Sequence, residues 1–173
     1  MVETKPWTVG GLILCTLYPV LQTKESVGLV LVLLLGLVDD ARDLSPLRKL
    51  VVETLIAWVV TCSIPAVVWI VFFMNAMNLS DNMDGLAIGL GMIAGVAFGM
   101  GELTLVLSIL LPFNLKPAKI YLGDLGSLSL GYLLALQVTN HPSGAVFLLV
   151  PIVDTLYVSI SRLATSRRCY NNY

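Results

Sequence analysis

TLIAWVVTCSIPAVVWIVFFMNAMNLS, residues 54–80, lies between Glu53 and Asp81 and carries no charge. It is longer than the ~20 apolar residues needed to cross a ~30 Å hydrocarbon core. Residues 125–153, between Asp124 and Asp154, form a second such stretch, and shorter ones cover 6–23, 26–38, 85–101 and 103–115. Across 173 residues the chain is 57% hydrophobic and 12% charged, against about 25% charged in soluble domains. Ten Lys and Arg against eleven Asp and Glu leave a net charge of −1, so the basic footprint of a nucleic-acid binder is missing. A mean hydropathy of +0.90 excludes a disordered chain. The start, MVETKPW, lacks the basic n-region and short apolar core of a signal peptide. The expected fold is all-α: a polytopic transmembrane helix bundle.

Turn and charge signals divide the chain into about eight short-to-normal spans: 8–22, 26–38, 50–63, 64–77, 85–100, 103–112, 126–138 and 144–163. Pro65 and the Gly99–Glu102 stretch break what would otherwise be single long helices. Each half of residues 50–77 then reaches only about 21 Å and needs neighbours or a thinned bilayer. Ser45 and Pro46 read as the N-cap and first position of a helix. With this parity Lys5, Arg42, Arg48, Lys49, Lys116, Lys119, Arg162, Arg167 and Arg168 share one side, and only Lys24 lies opposite. That asymmetry places the basic side in the cytoplasm. Cys15, Cys62 and Cys169 show no metal-site spacing and read as small buried hydrophobes.

The seven Asp fall into four short segments. Carboxylates at a membrane boundary are costly unless they pair, hydrate or bind a cation. Asp39 and Asp40 end a span, and their mutual repulsion is relieved by a divalent cation or a basic partner. Asn75, Asn78, Asp81 and Asp84 recur every third residue, so on a helix they spiral by about 60° per step and converge only through a turn. Such groups suit a sugar, a nucleobase or a magnesium shell. Asp124 stands in Gly-Asp-Leu-Gly-Ser at a helix start, where glycines and Ser127 would admit a phosphate to the backbone, with Lys116 and Lys119 upstream. An Asp holding Mg²⁺ beside cationic groups makes a diphosphate site, whereas an ordinary N-cap explains Asp124 as well. Glu53 reads as the i, i+4 partner of Lys49, Asp154 as a hydrogen-bonding group within the bundle, and His141 as a loop residue.

Five segments in order resemble the polyprenyl-phosphate N-acetylhexosamine-1-phosphate transferases, glycosyltransferase family 4. They are TKPWTVGGL (4–12), GLVDDARDLSPLRKL (36–50), NAMNLSDNMDGLAIG (75–89), PFNLKPAKIYLGDLGSLSLGYLLA (112–135) and PIVDTLYVSISRL (151–163). The resemblance implies a multi-pass enzyme of the bacterial cytoplasmic membrane with its site facing the cytoplasm. It would move N-acetylhexosamine-1-phosphate from a UDP-sugar to polyprenyl (undecaprenyl) phosphate, releasing UMP, for cell-wall or surface polysaccharide. Mg²⁺ is the implied cofactor, with Mn²⁺ as a substitute, and a homodimer is compatible with the family. On this resemblance Asp124 is the main metal ligand, and Asp39 and Asp40 are catalytic, positioning and deprotonating the lipid phosphate. Asn78, Asp81 and Asp84 contact the nucleotide sugar, with Asn75 and Asn114 in support. Tyr121 stacks on uracil, a role that competes with an interfacial anchor. Residues 1–173 are expected to form one integral-membrane domain. It starts near the family's first cytoplasmic loop and ends, at SRLATSRRCYNNY, before a His-rich loop and last span. The phospho-N-acetylmuramoyl-pentapeptide transferases share these segments, and an inactive truncated copy is the non-enzymatic alternative. An intramembrane prenyltransferase leaves GDLGS unexplained, and DNMDGLAIG lacks the Arg and later Asp pair of CDP-alcohol phosphotransferases.

Overall fold

The computed structural model describes residues 23–140, together with residues 149, 152, 153 and 157. The expected spans 8–22 and 144–163, the segment 4–12, Asp154 and His141 lie outside the described residues. Six helices form the described part: α1 (Thr23–Arg42), α2 (Pro46–Thr61), α3 (Ile64–Ser80), α4 (Leu86–Ala97), α5 (Gly101–Asn114) and α6 (Gly123–Asn140). Each corresponds to one expected span, and no strand occurs among the described residues.

Both breaks fall where the punctuating residues predict. Thr61 ends α2, and Cys62 turns the chain in the left-handed region at φ 50° before α3 starts with Pro65 in its first turn. Cys62 is exposed in that turn, not buried as expected. Gly99, at φ 69°, separates α4 from α5. In both cases the two halves pack on each other as hairpins. Ser45 is the N-cap of α2 with Pro46 at N1, although its side chain makes no capping bond. The helices are short: α4 has 12 residues and α5 has 14, about 18 and 21 Å. Among the described residues no helix is long and apolar enough to cross a membrane.

The core is organised around α6, which packs along α1 on one side and α3 on the other. At Gly131 a Cβ would lie 2.6 Å from the Phe73 carbonyl oxygen and 2.7 Å from Met74 Cα, so the α6–α3 contact is backbone against side-chain-free backbone. Leu128, Tyr132 and Leu134 of α6 are fully buried with Phe73, Met74 and Met77 of α3 and Leu29 and Val32 of α1. Tyr132 donates a 3.0 Å hydrogen bond to the Glu25 carbonyl oxygen, tying the second half of α6 to the start of α1. The α4–α5 hairpin is peripheral, touching α6 and α3 lightly. This order brings the ends of α1, α3 and α5 and the starts of α2, α4 and α6 to one end of the bundle, so the polar segments meet there.

Candidate functional site

Neighbouring residues at the end of α1 take different roles because successive helix positions point about 100° apart. Asp39 is buried, 5% exposed. Its Oδ1 accepts the Leu44 N–H at 2.7 Å, where the chain leaves α1 through Asp43 at φ 47°. Its Oδ2 lies 2.8 Å from Lys49 Nζ, and the same ammonium is 3.2 Å from Asp124 Oδ1. Asp40 instead faces the backbone of α6: its Oδ1 accepts the Asp124 N–H at 2.9 Å and its Oδ2 the Leu125 N–H at 3.2 Å.

The turn-spaced set 75–84 diverges as the 60° drift predicts. Asn75 donates from Nδ2 to Glu53 and to the Val71 carbonyl oxygen. Asn78 donates from Nδ2 to Asp124 Oδ1 and, at 2.9 Å, to Ser127 Oγ. Asp81 caps α3 and accepts a backbone hydrogen bond from Gly123. Asp84 is exposed in the turn that Gly85 closes at φ 79°. Tyr121 is half-buried two residues before α6.

Electrostatics follow from this crowding. Burial alone would push the Asp39 carboxyl up, but hydrogen bonds with Asp124, Lys49 and the Leu44 N–H hold it below the ordinary carboxylate range. Burial and the Asp39 hydrogen bond raise Asp124, against the opposing pull of Lys49 and Asn78. Burial favours a neutral Lys49, yet its two carboxylate partners hold the ammonium charged. Asp81 is pushed up to about 7 by burial and by the charge of Asp124, with the Gly123 N–H opposing.

Several expectations change at this point. Lys49 does not pair with Glu53; it bridges Asp39 and Asp124 across three helices. Lys116 and Lys119, expected beside Asp124, are exposed on the α5–α6 connection. Glu53 is fully buried, with Oε2 bound to Asn75 and Oε1 without a hydrogen-bond partner. Asn75 is thereby drawn away from the open end, because both hydrogens of its amide are used inside the bundle. Asn114, 2% exposed, is a brace: its Oδ1 accepts the Gly85 N–H and its Nδ2 donates to the Ile120 carbonyl oxygen, both at 2.9 Å. The start of α6 is not open to a phosphate, since the Gly123, Asp124 and Leu125 N–H groups already face Asp81 and Asp40. Lys49 and Ser127 are the site residues that sequence reasoning underrated. The signal for Lys49 was its place one turn after Pro46, close in the chain to Asp39.

Among the described residues no group of three or more His, Cys, Asp or Glu side chains surrounds a common point. Mg²⁺ commonly keeps water and takes one or two carboxylates plus substrate phosphates. Asp124, 30% exposed, with the amide of Asn78 against it and Asp39 nearby, fits that mode and not a protein-only cage.

Two carboxylates, an ammonium and a carboxamide, supplied by four helices, meet at one end of a largely apolar helical bundle. The family model described as glycosyl transferase family 4 matches residues 58–141, which hold Asn78, Asp81 and Asp124. The chain is 31% identical to the "Probable undecaprenyl-phosphate N-acetylglucosaminyl 1-phosphate transferase" of Bacillus subtilis, over 82% of this chain and 53% of that protein. It is 31% identical to the undecaprenyl-phosphate alpha-N-acetylglucosaminyl 1-phosphate transferase of Thermotoga maritima, over 80% and 54%. It is 44% identical to the phospho-N-acetylmuramoyl-pentapeptide-transferase of Enterococcus hirae, over 40% and 26%. The chain belongs to glycosyl transferase family 4. It spans about half the length of the first two of these relatives.

Proposed function

We propose that this chain carries the catalytic centre of a membrane-embedded, Mg²⁺-dependent hexosamine-1-phosphate transferase. A polyprenyl-phosphate oxygen forms a bond to the sugar-linked phosphorus of a UDP-N-acetylhexosamine. The bond between the two phosphorus centres' bridging oxygen and that phosphorus breaks, and UMP leaves. The observation that carries the reading is the Asp39–Lys49–Asp124 cluster with Asn78, drawn from α1, α2, α6 and α3 to one end of the bundle.

Each group has a task that its surroundings favour. Asp124, with Asn78 against it, would hold Mg²⁺, which when bound neutralises diphosphate charge. Lys49, kept charged, offers an ammonium to phosphate oxygens as negative charge moves toward UMP. Asp39, held ionised, forms the ion pair that fixes the Lys49 ammonium in place for the phosphate. Asp84, exposed at the rim, faces the water from which a nucleotide sugar arrives, and Asp81 beside it is half-buried against the start of α6. A lipid setting is supported by the outward apolar residues of α1 and α2, among them Val30, Leu34, Leu37, Leu55 and Val59. Short helices in such a setting rely on neighbours or a thinned bilayer. The cytoplasmic membrane, with the acidic end inward, suits both the basic-residue asymmetry and a UDP-sugar donor.

The pentapeptide-transferase reading has its own support in the 44% identity to the Enterococcus hirae protein. Membranes holding the protein, given Mg²⁺, undecaprenyl phosphate and labelled UDP-N-acetylglucosamine or UDP-N-acetylmuramoyl-pentapeptide, separate the two. UMP release with the first donor, lost at least about 10³-fold in Asp124→Asn, is the expected result. Release with the second donor alone selects the other transferase. No release with either, from inserted protein and intact substrates, overturns the enzymatic reading.

A further inference from the structure

Asp40 contacts none of the cluster's side chains in the way Asp39 does; its two carboxylate oxygens hold two successive backbone N–H groups of α6, those of Asp124 and Leu125. One turn earlier on the same face of α1 stands Gly36, where a Cβ would lie 2.4 Å from Leu125 Cα, 2.6 Å from its nitrogen and 2.8 Å from the Asp124 carbonyl oxygen. Two independent features of α1 thus converge on the same peptide unit of α6. Gly36 lets the backbones touch, and Asp40, four residues on, closes the first turn with a two-pronged cap 84 residues away in sequence. A carboxylate at a helix start also complements the positive end of the helix dipole. The Gly123 N–H goes to Asp81, so α6 is docked through its leading amides on both flanks.

We infer that Asp40 and Gly36 form a backbone clamp that sets the position of Asp124, so that Asp40 is a positioning residue and not the acceptor of a substrate proton. The inference rests on the proposed transferase reading only for its effect on turnover; the clamp itself concerns how α1 and α6 are joined. The adjacent carboxylates then divide the work. Asp39 addresses the Lys49 ammonium, and Asp40 addresses the peptide that carries the Asp124 carboxylate. Such an acceptor acts at a distance from the reacting atoms: losing it loosens Asp124 and weakens any cation held there, while the ionisations that shape the reaction's pH dependence stay as they were.

The test uses the full chain in detergent micelles, as wild type, Asp40→Ala, Asp40→Asn and Gly36→Ala. Amide hydrogen exchange is followed for residues 122–127 and, as a control, for residues 64–80. Asp40→Ala is expected to speed exchange at 122–127 roughly 5- to 30-fold, the factor that losing a helix-capping acceptor carries, and Gly36→Ala to speed it too, by forcing the α1 and α6 backbones apart. Residues 64–80 should stay unchanged. Asp40→Asn keeps one acceptor oxygen and should fall between wild type and Asp40→Ala, which keeps the test alive where alanine fails to fold. Mn²⁺ affinity, read by electron paramagnetic resonance, should weaken with the same rank order. Turnover should drop in kcat with the shape of its pH profile retained. Unchanged exchange at 122–127 in Asp40→Ala overturns the clamp, as does loss of the acidic limb of the pH profile at unaltered Mn²⁺ affinity. Wild-type protein that releases no UMP while 122–127 still responds leaves the clamp standing and removes the transferase reading instead.

Discussion

The α1–α2–α3–α6 group and the α4–α5 hairpin are made of similar apolar helices, yet they do different work. In the first, helices approach closely enough for backbone to meet backbone at Gly36 and Gly131. Charged side chains there are held by partners from other helices: Lys49 by Asp39 and Asp124, and the start of α6 by Asp40. In the second, Asn114 is buried near the polar end, and its amide bonds stay within the hairpin and its connections. The lesson is that proximity of polar residues to the open end does not define the site. What defines it is whether their hydrogen-bonding capacity is aimed at one another across helices or used up inside one unit.

The largest expected effect bears on the first region. Lys49→Gln removes the ammonium between two carboxylates, and UMP release should fall about 10²- to 10³-fold, measured as kcat/KM. Retained activity would move the centre of the site away from Lys49. The contrast sharpens with Asn114→Ala. It leaves the Gly85 N–H and the Ile120 carbonyl oxygen without their partner, at about 1–3 kcal/mol. Thermal melting should therefore drop by about 2–4 °C for each kcal/mol lost, while KM for the UDP-sugar stays put. A raised KM with unchanged melting would return Asn114 to the substrate.

The smallest effect concerns pH. Asp81 is raised to about 7, so the folded protein holds a proton that the unfolded chain releases near pH 4. Stability of the metal-free protein should therefore fall as pH rises from about 4 to about 7 and level off above. Asp81→Asn still offers an acceptor to Gly123 and has no charge to develop. Its melting temperature should change less between pH 5 and pH 8 than that of the wild type. Equal changes in the two proteins would remove Asp81 as the source.

Much of the framework was legible because it depends on local rules. Pro65 and Gly99 interrupt apolar runs that would otherwise continue, and Ser45–Pro46 marks a helix start, so the hairpins and the gathering of Asp segments at one end follow from the chain alone. The site was only partly legible, because pairing at a bundle end is a tertiary choice. The i, i+4 rule offers Lys49 an obvious partner in Glu53, but Lys49 instead reaches two carboxylates that sequence places 10 and 75 positions away. Asn75 and Asn114 look like ligand groups because they stand in ligand-bearing segments. Their partners lie elsewhere: buried Asn114 and half-buried Asn75 both spend their amide hydrogen bonds on groups of the protein itself. The glycines and Ser127 around Asp124 suggest a helix start open to a phosphate, and the structure gives that start to Asp40 and Asp81.

In the proposed function Asp39, Lys49 and Asp124 act as one unit although three helices supply them. A double-variant cycle on UMP release tests it, comparing Asp39→Asn, Lys49→Gln and the combined variant under Mg²⁺ with undecaprenyl phosphate and UDP-N-acetylglucosamine. Groups that act together lose their effect together, so the combined variant should be no slower than the worse single variant by more than about threefold. Losses that multiply would show Asp39 and Lys49 working independently and would dissolve the unit.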